Sequence, residues 1–309
     1  MSQDPQQGAW QDWTATPQPQ PQPYPYPQPV GFDPADPLVS GDYNGWWRRS
    51  IALIKATWRP IALVQLLIAV PTLALLVPAL VAFQKEQRTA QDSLQNSIEA
   101  GGPPDFSLIF AGFTTLMPAA AAAGLFYVVG HLANAQIVVF TATGRRGNPI
   151  GPALLAGLKR LPAMLGWYLL AVPVVIVATV LCFFPVIYVA AALAVLPLVV
   201  LLERGAGIGR CFQLFHADLG VSVSRIATLF GLSFASSVVL NLLTTLVSVT
   251  IGGGLSAPNT TATVINAILQ GGYTLLAGVF LIPLAVTTYA DMRARREPFT
   301  TANLVPGAA

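Results

Sequence analysis

The chain has 309 residues, of which 54% are hydrophobic and 9% charged, and its formal net charge is +3. Soluble globular chains carry about 25% charged residues, so a water-soluble fold of this length is excluded. The composition is that of a polytopic membrane protein.

Residues 1–45 open the chain with "PQPQPQPYPYPQP", in which proline alternates with glutamine and tyrosine. Such a segment buries too little apolar area to offset its ordering entropy, so a disordered, polyproline-prone tail is expected. It reads either as a ligand for a proline-binding partner or, more simply, as a solvated tail. It holds no 7–15-residue apolar core, so no secretory signal is read there and insertion is expected to begin from an internal span.

Six hydrophobic spans follow within a membrane domain at 46–297. The first runs from Ile61 to Phe83, and the second lies within Phe106 to Thr143. The third and fourth share an uncharged block from Leu161 to Leu202, roughly 63 Å as one helix and therefore too long for one crossing. The expected turn is "CFFP" at Cys182–Pro185, because proline ends a helix. The fifth span covers about Ile226 to Thr250 and the sixth about Val264 to Tyr289; residues 298–309 read as a second disordered tail.

Charge orients these spans. Of the 16 basic residues, all but Lys85 and Arg88 fall at one end: before span one, between spans two and three, between four and five, and after six. The loop "GGGLSAPNTTAT" at the other end carries no charge. The positive-inside rule then places both termini in the cytoplasm of a multi-pass protein, expected in a bacterial inner membrane. The sequon at Asn259 has no eukaryotic secretory context around it.

Each odd span is preceded by a basic segment with helical apolar spacing. The apolar sets are Trp47, Ile51, Ile54 and Trp58; Ile150, Leu154, Leu158 and Leu161; and Ile208, Cys211, Phe212, Phe215 and Leu219. This is the pattern of a helix lying in the membrane interface. "RSIALIKA" (49–56) also aligns with "RCFQLFHA" (210–217), and "RPIALVQLLIAVP" parallels "LPAMLGWYLLAVP". The fold class expected is therefore all-α, with six transmembrane helices, three cytoplasmic interfacial amphipathic helices and a three-fold internal repeat. Arg48, Arg49, Lys55, Lys159, Arg160 and Arg210 are the candidate contacts for anionic lipid headgroups.

The stretch "ERGAGIGRCFQLFHADLGVSVSRIATLFGLSF" resembles the membrane domain found with bacterial glycerophosphodiester phosphodiesterases, and related stand-alone membrane proteins. In that pattern a glutamate ends one span, and a small-residue turn, an Arg-Ser-type amphipathic helix and the next span follow. Glu203, Arg210, Leu214 and His216 stand at matching places, and Cys211 stands where a serine is usual. The resemblance covers roughly residues 45–297, and the proline-rich tail resembles those of actinobacterial membrane proteins. It does not carry an enzyme over. In such enzymes the phosphodiesterase is a separate soluble barrel with clustered acids, histidine and a metal, whereas this chain has two histidines on different elements.

The glycines of "GAGIGR" miss the dinucleotide fingerprint, since Arg210 stands where G-x-G-x-x-G needs its third glycine. Gly205 and Gly207 read instead as a turn from a span into an interfacial helix. Cys182 and Cys211 fall at opposite faces, so no disulfide is expected. His131, with Tyr127 at i−4 and Asn134 at i+3, is the candidate intramembrane polar site; its simpler reading is a neutral imidazole bonded between helices. Asn241, Asn266 and Gln270 read as interhelical hydrogen-bonding groups. No catalytic residue, metal, cofactor, nucleotide or nucleic acid is expected. The leading reading is a non-enzymatic membrane module that contacts lipid or organises a partner at the cytoplasmic leaflet. The alternative is a small transporter with its site near His131 and Asn134.

Overall fold

The computed structural model describes residues 32–101, 110, 112–181, 183–251 and 259–305. Among the described residues the regular structure is helical: α1 Tyr43–Glu99, α2 Phe113–Ala142, α3 Ile150–Leu181, α4 Phe183–Leu193, α5 Leu196–Leu202, α6 Ile208–Phe215, α7 Leu219–Thr250 and α8 Thr260–Arg296. Helix starts follow local chemistry. Asp42, Asp218 and Asn259 sit just before α1, α7 and α8, and each side chain accepts a hydrogen bond from a first-turn amide that the helix leaves unpaired.

Six helices are long and apolar enough to cross a membrane, with Phe184–Leu202 counted as one span. The break expected at "CFFP" falls between Leu181 and Phe183; Cys182 itself lies outside the described residues. A second break, at Ala194–Val195, divides α4 from α5, with Pro197 at the start of α5. Within residues 33–309, which form one unit, α1 packs between α2 and α8, α3 packs on α2, and α7 packs on α8. Where α3 meets α2 the backbones nearly touch: a Cβ on Gly157 would stand 2.8 Å from the Val129 carbonyl oxygen.

The amphipathic segments differ from one another. Residues 47–58 run unbroken into the first span within α1, and residues 150–161 run unbroken into the third within α3. Pro60 and Pro162 mark both junctions without ending either helix; proline lacks the amide, but neighbouring groups satisfy the freed carbonyl in such settings. Only α6 is a separate helix. It buries Cys211, Leu214 and Phe215, while Leu219 is exposed and belongs to α7. Gly205 has φ +74°, the left-handed turn expected after Glu203. Gly207 is needed for a different reason: a Cβ there would lie 2.2 Å from the Trp167 ring.

At the basic end of the bundle the chain is tied into two polar networks. In the first, the Asp291 carboxylate on α8 forms an ion pair with Arg225 of α7 at 2.7 Å, both side chains being almost wholly buried. Asp291 also accepts hydrogen bonds from the Ser40 amide (2.5 Å) and hydroxyl (2.7 Å). In the second, Glu203 accepts from Arg210 (2.7 Å) and from the Tyr289 hydroxyl (2.8 Å), while Glu297 bridges Arg210 and Arg293. Burial disfavours the Arg210 cation, but Glu297 and Glu203 more than offset this and raise its pKa. Burial likewise pushes the Cys211 thiol up, to about 12, so a thiolate does not form there at neutral pH.

These contacts move both expected tail boundaries. Residues 33–42 form an ordered strap in which Leu38 and Ser40 are wholly buried, and helix α1 already begins at Tyr43, inside the tail expected to residue 45. Likewise Phe299 is buried and Thr301–Leu304 form a 3₁₀ turn, inside the tail expected from residue 298. Asp36 joins the two segments: it accepts from the Thr301 amide (2.7 Å) and hydroxyl (2.6 Å) and from the amides of Leu38 and Val39 (2.8 Å each). The cause in both cases is a partner distant in sequence, which local composition does not reveal.

The strap has a predictable pH response. Burial raises the Asp36 carboxyl, but the four hydrogen bonds overcome burial and hold it below its ordinary value of 3.8. A carboxylate with a depressed folded pKa stabilises fully above its unfolded pKa and loses that contribution as pH falls through the folded one. Amide exchange at Leu38, Val39 and Thr301, corrected for intrinsic rate, is therefore expected to be constant from pH 7 to about 4 and to rise below it. Asp36→Asn is expected to show the raised exchange at every pH; protection unchanged in that variant would refute the latch.

Candidate functional site: a polar crevice along α8

Helix α8 carries Thr263, Asn266, Gln270 and Thr274 on one face, an uncharged polar stripe at helical spacing that its N-cap Asn259 extends. Opposite it, α1 presents Gln65, Thr72 and Gln84, and α7 presents Thr244 and Ser248. Between them lies a cavity of about 410 Å³, completed by Tyr127 of α2 and by aliphatic side chains of α1. A second cavity of about 240 Å³ continues toward the basic end, lined by His131, Ser233, Tyr273 and Gly278. Gln65, Tyr127 and Thr274 line both. From Asn259 to Ile282 the two cavities follow about 35 Å of helix, comparable to the ~30 Å hydrocarbon thickness.

The chemistry of the lining is consistent along its length. No Asp, Glu, Lys or Arg lines either cavity among the described residues. Some polar groups satisfy each other: Thr263 donates to the Gln84 side chain at 2.7 Å, and Asn266 donates to Ser248 at 3.1 Å. Others are left without a protein partner, namely the Thr72 hydroxyl and the Asn266 carbonyl oxygen. An unpaired buried polar atom costs about 1–3 kcal/mol, so the lining has unused capacity to hydrogen-bond a guest.

Gln65 sits where the two cavities meet. A Cβ on Gly278 would stand 2.0 Å from the Gln65 amide nitrogen, so the glutamine amide lies directly over the glycine. Glycine at 278 is what lets this polar side chain cross the helix. The crevice ends at Ile282: from Leu284 to Ala294 most of α8 is buried, ending in the Asp291 ion pair, and Ser50 bonds Thr287 at 2.8 Å across α1 and α8.

The sequence-predicted residues divide. Tyr127 and His131 both line the crevice, their ring centroids 6.1 Å apart. Asn134 does not line it; it is wholly buried, and both of its amide atoms lack a partner. Asn266 bonds to another helix and Gln270 lines the crevice, whereas Asn241 bonds the Ser237 carbonyl of its own helix. Of the six candidate lipid contacts, Arg210 is paired with two carboxylates and Arg49 is bonded to the Asp36 and Pro34 carbonyls. Arg48, Lys55 and Lys159 are exposed, and Arg160 is half-buried. The burial and pairing of Arg225 and Asp291, and the glutamines Gln65 and Gln84, were not foreseen from the sequence. The stripe at 263, 266, 270 and 274 was visible there as an i, i+3, i+7, i+11 pattern. No protein-family model, curated protein or solved structure matches this chain.

Proposed function

We propose that this is a non-enzymatic membrane protein that admits a small uncharged polar solute into the crevice along α8, as a transporter or a facilitator of passage. The observation that carries this is a line of hydroxyls and amides, free of charge among the described residues, set in otherwise aliphatic walls over a length comparable to the hydrocarbon thickness. Membrane interiors reject unpaired polar groups, so such a lining has a use. Hydroxyl- or amide-bearing solutes match it in both size and hydrogen-bonding type. In this reading the wide cavity faces outward, Gln65 is the constriction, and the two polar networks close the cytoplasmic end, where both termini lie. The resemblance to the phosphodiesterase-associated membrane domain rests on the sequence of residues 203–234 alone, where Glu203 pairs with Arg210 and Gly205 takes a left-handed turn.

The test is osmotic swelling of proteoliposomes in glycerol and erythritol, followed by light scattering. Entry faster than into empty liposomes is expected, slowed about ten-fold by Gln65→Leu, since one lost hydrogen bond of ~1.4 kcal/mol at the constriction has that effect. His131→Leu is expected to slow entry less. Swelling equal to that of empty liposomes for every uncharged solute tried would remove this reading.

A second reading belongs to the basic end. Arg48, Lys55 and Lys159 are exposed and form no ion pair among the described residues, as a surface resting on anionic headgroups requires. The three basic amphipathic segments would then be interfacial parts of a thrice-repeated unit.

A further inference from the structure

A third concavity lies beside α8 and is far more apolar than the crevice, meeting its inner cavity at Tyr273, Ala277 and Leu281. Its volume is about 1020 Å³, and it is bounded by the first turns of α1, the middle of α7, and α8 from Ile268 to Leu284. Trp47, Ile54, Leu240, Leu243, Leu276 and Phe280 form its walls. Two of its three polar residues are turned on each other or on their own helix: the Ser236 hydroxyl donates to the Leu232 carbonyl at 2.8 Å and meets the Tyr273 hydroxyl at 3.4 Å. The third is Lys55, exposed at the basic end of the groove.

Lys55 does not stand alone. Arg48 and Arg59 fall seven residues before it and four after, on one face of α1, and both are exposed. None of the three forms an ion pair among the described residues; the Arg59 guanidinium lies 5.2 Å over the Trp58 ring. A cationic stripe therefore borders one end of an apolar groove. From Ile268 to Leu284 the groove follows about 24 Å of helix, more than the ~15 Å depth of one leaflet's hydrocarbon.

We infer that this groove binds one anionic phospholipid, its acyl chains between α7 and α8 and its phosphate at Lys55, with Arg48 and Arg59 flanking that position along α1. The inference rests on the second reading above and gives it a built site. Lipid is the solvent at this depth, and an anionic amphiphile matches both the apolar walls and the cationic rim. A second copy of the chain matches less well. The basic end carries all but two of the chain's 16 Lys and Arg residues, so like charges would be brought together. The volume lies at the upper end of the ~300–1,000 Å³ range of ligand sites.

The experiment is native mass spectrometry of the full chain in detergent, with equal phosphatidylglycerol and phosphatidylcholine, alongside quenching of tryptophan by dibrominated phosphatidylglycerol. One tightly held phosphatidylglycerol is expected, with quenching diminished in Trp47→Phe. Lys55→Ala should weaken phosphatidylglycerol about five-fold and leave phosphatidylcholine unchanged. Leu243→Trp, at an exposed position on the groove wall, should displace the bound lipid while the melting temperature holds; Leu276→Phe serves if it does not. A phosphatidylglycerol preference that survives groove filling, salt-sensitive and without fixed stoichiometry, would overturn the groove site and leave the basic-surface reading standing. No preference for phosphatidylglycerol at all would overturn both. A dimer replacing the lipid-bound monomer would assign the groove to a second copy and overturn the inference.

Discussion

Asp291→Ala is expected to cost about 3–5 kcal/mol of stability, the usual loss when one partner of a buried ion pair is removed. The Arg225 side chain is 2% exposed, so its charge would stay in the protein interior with no counterion. The Ser40 amide and hydroxyl would lose their acceptor in the same step. A loss of this size is a large share of the ~5–15 kcal/mol that folded domains hold. Fluorescence-detected size exclusion of the heated protein in detergent should show the midpoint falling by roughly ten degrees. Arg225→Met combined with Asp291→Leu should recover part of it, because apolar residues of similar volume often replace a buried pair without loss. Full recovery is not expected, since the Ser40 amide remains without its acceptor. A midpoint for Asp291→Ala within a degree or two of the parent would show that water reaches Arg225.

Gly157→Ala is the second large effect. In a helix interior, alanine is worth about 0.8–1.0 kcal/mol more than glycine, so propensity alone predicts a gain. The added methyl would stand 2.8 Å from the Val129 carbonyl oxygen and 3.3 Å from the Ala133 amide nitrogen. Both are backbone atoms of α2 and cannot rotate away as a side chain can. Relief requires α3 to move off α2, and overpacking of that kind typically costs about 1–3 kcal/mol. The sign should therefore be negative, with a lowered melting midpoint. Gly166→Ala on the same helix has no atom within 4 Å of the new Cβ and should leave the midpoint unchanged or slightly raised. Equal responses at the two positions would mean that the contact between α2 and α3 yields freely.

The spans were legible because their signal is local. Twenty apolar residues in a row declare a crossing, and the turn at "CFFP" is declared by Pro185. The strap was not legible, since Asp33, Pro34, Asp36 and Pro37 read locally as a turn-rich tail. Its order comes from Arg49 at the start of α1 and above all from Asp291 and Thr301, which no window around residue 36 contains. Pro60 and Pro162 leave α1 and α3 unbroken: proline disfavours a continuing helix in water, a preference that weakens among packed membrane helices. In the crevice, Tyr127 and His131 were found because a histidine in a span attracts notice. Gln65 was missed because a single amide in an apolar run gives no hint of the glycine it will lie across. Asn134 was grouped with His131 by helical phase, which places residues on a face but does not say which neighbour that face meets.

The Ser40–Asp291 hydrogen bond joins positions 251 residues apart, and this has a consequence for biogenesis. The strap leaves the ribosome before any span, and its carboxylate partner comes at the end of the last. Until α8 is inserted, Arg225 lacks its ion-pair partner and the Ser40 amide lacks its acceptor. A chain stopped short of residue 291 would therefore lack the carboxylate that pairs with Arg225 and the Ser40 amide. Closure of the Ser40–Asp291–Arg225 network waits on the last helix.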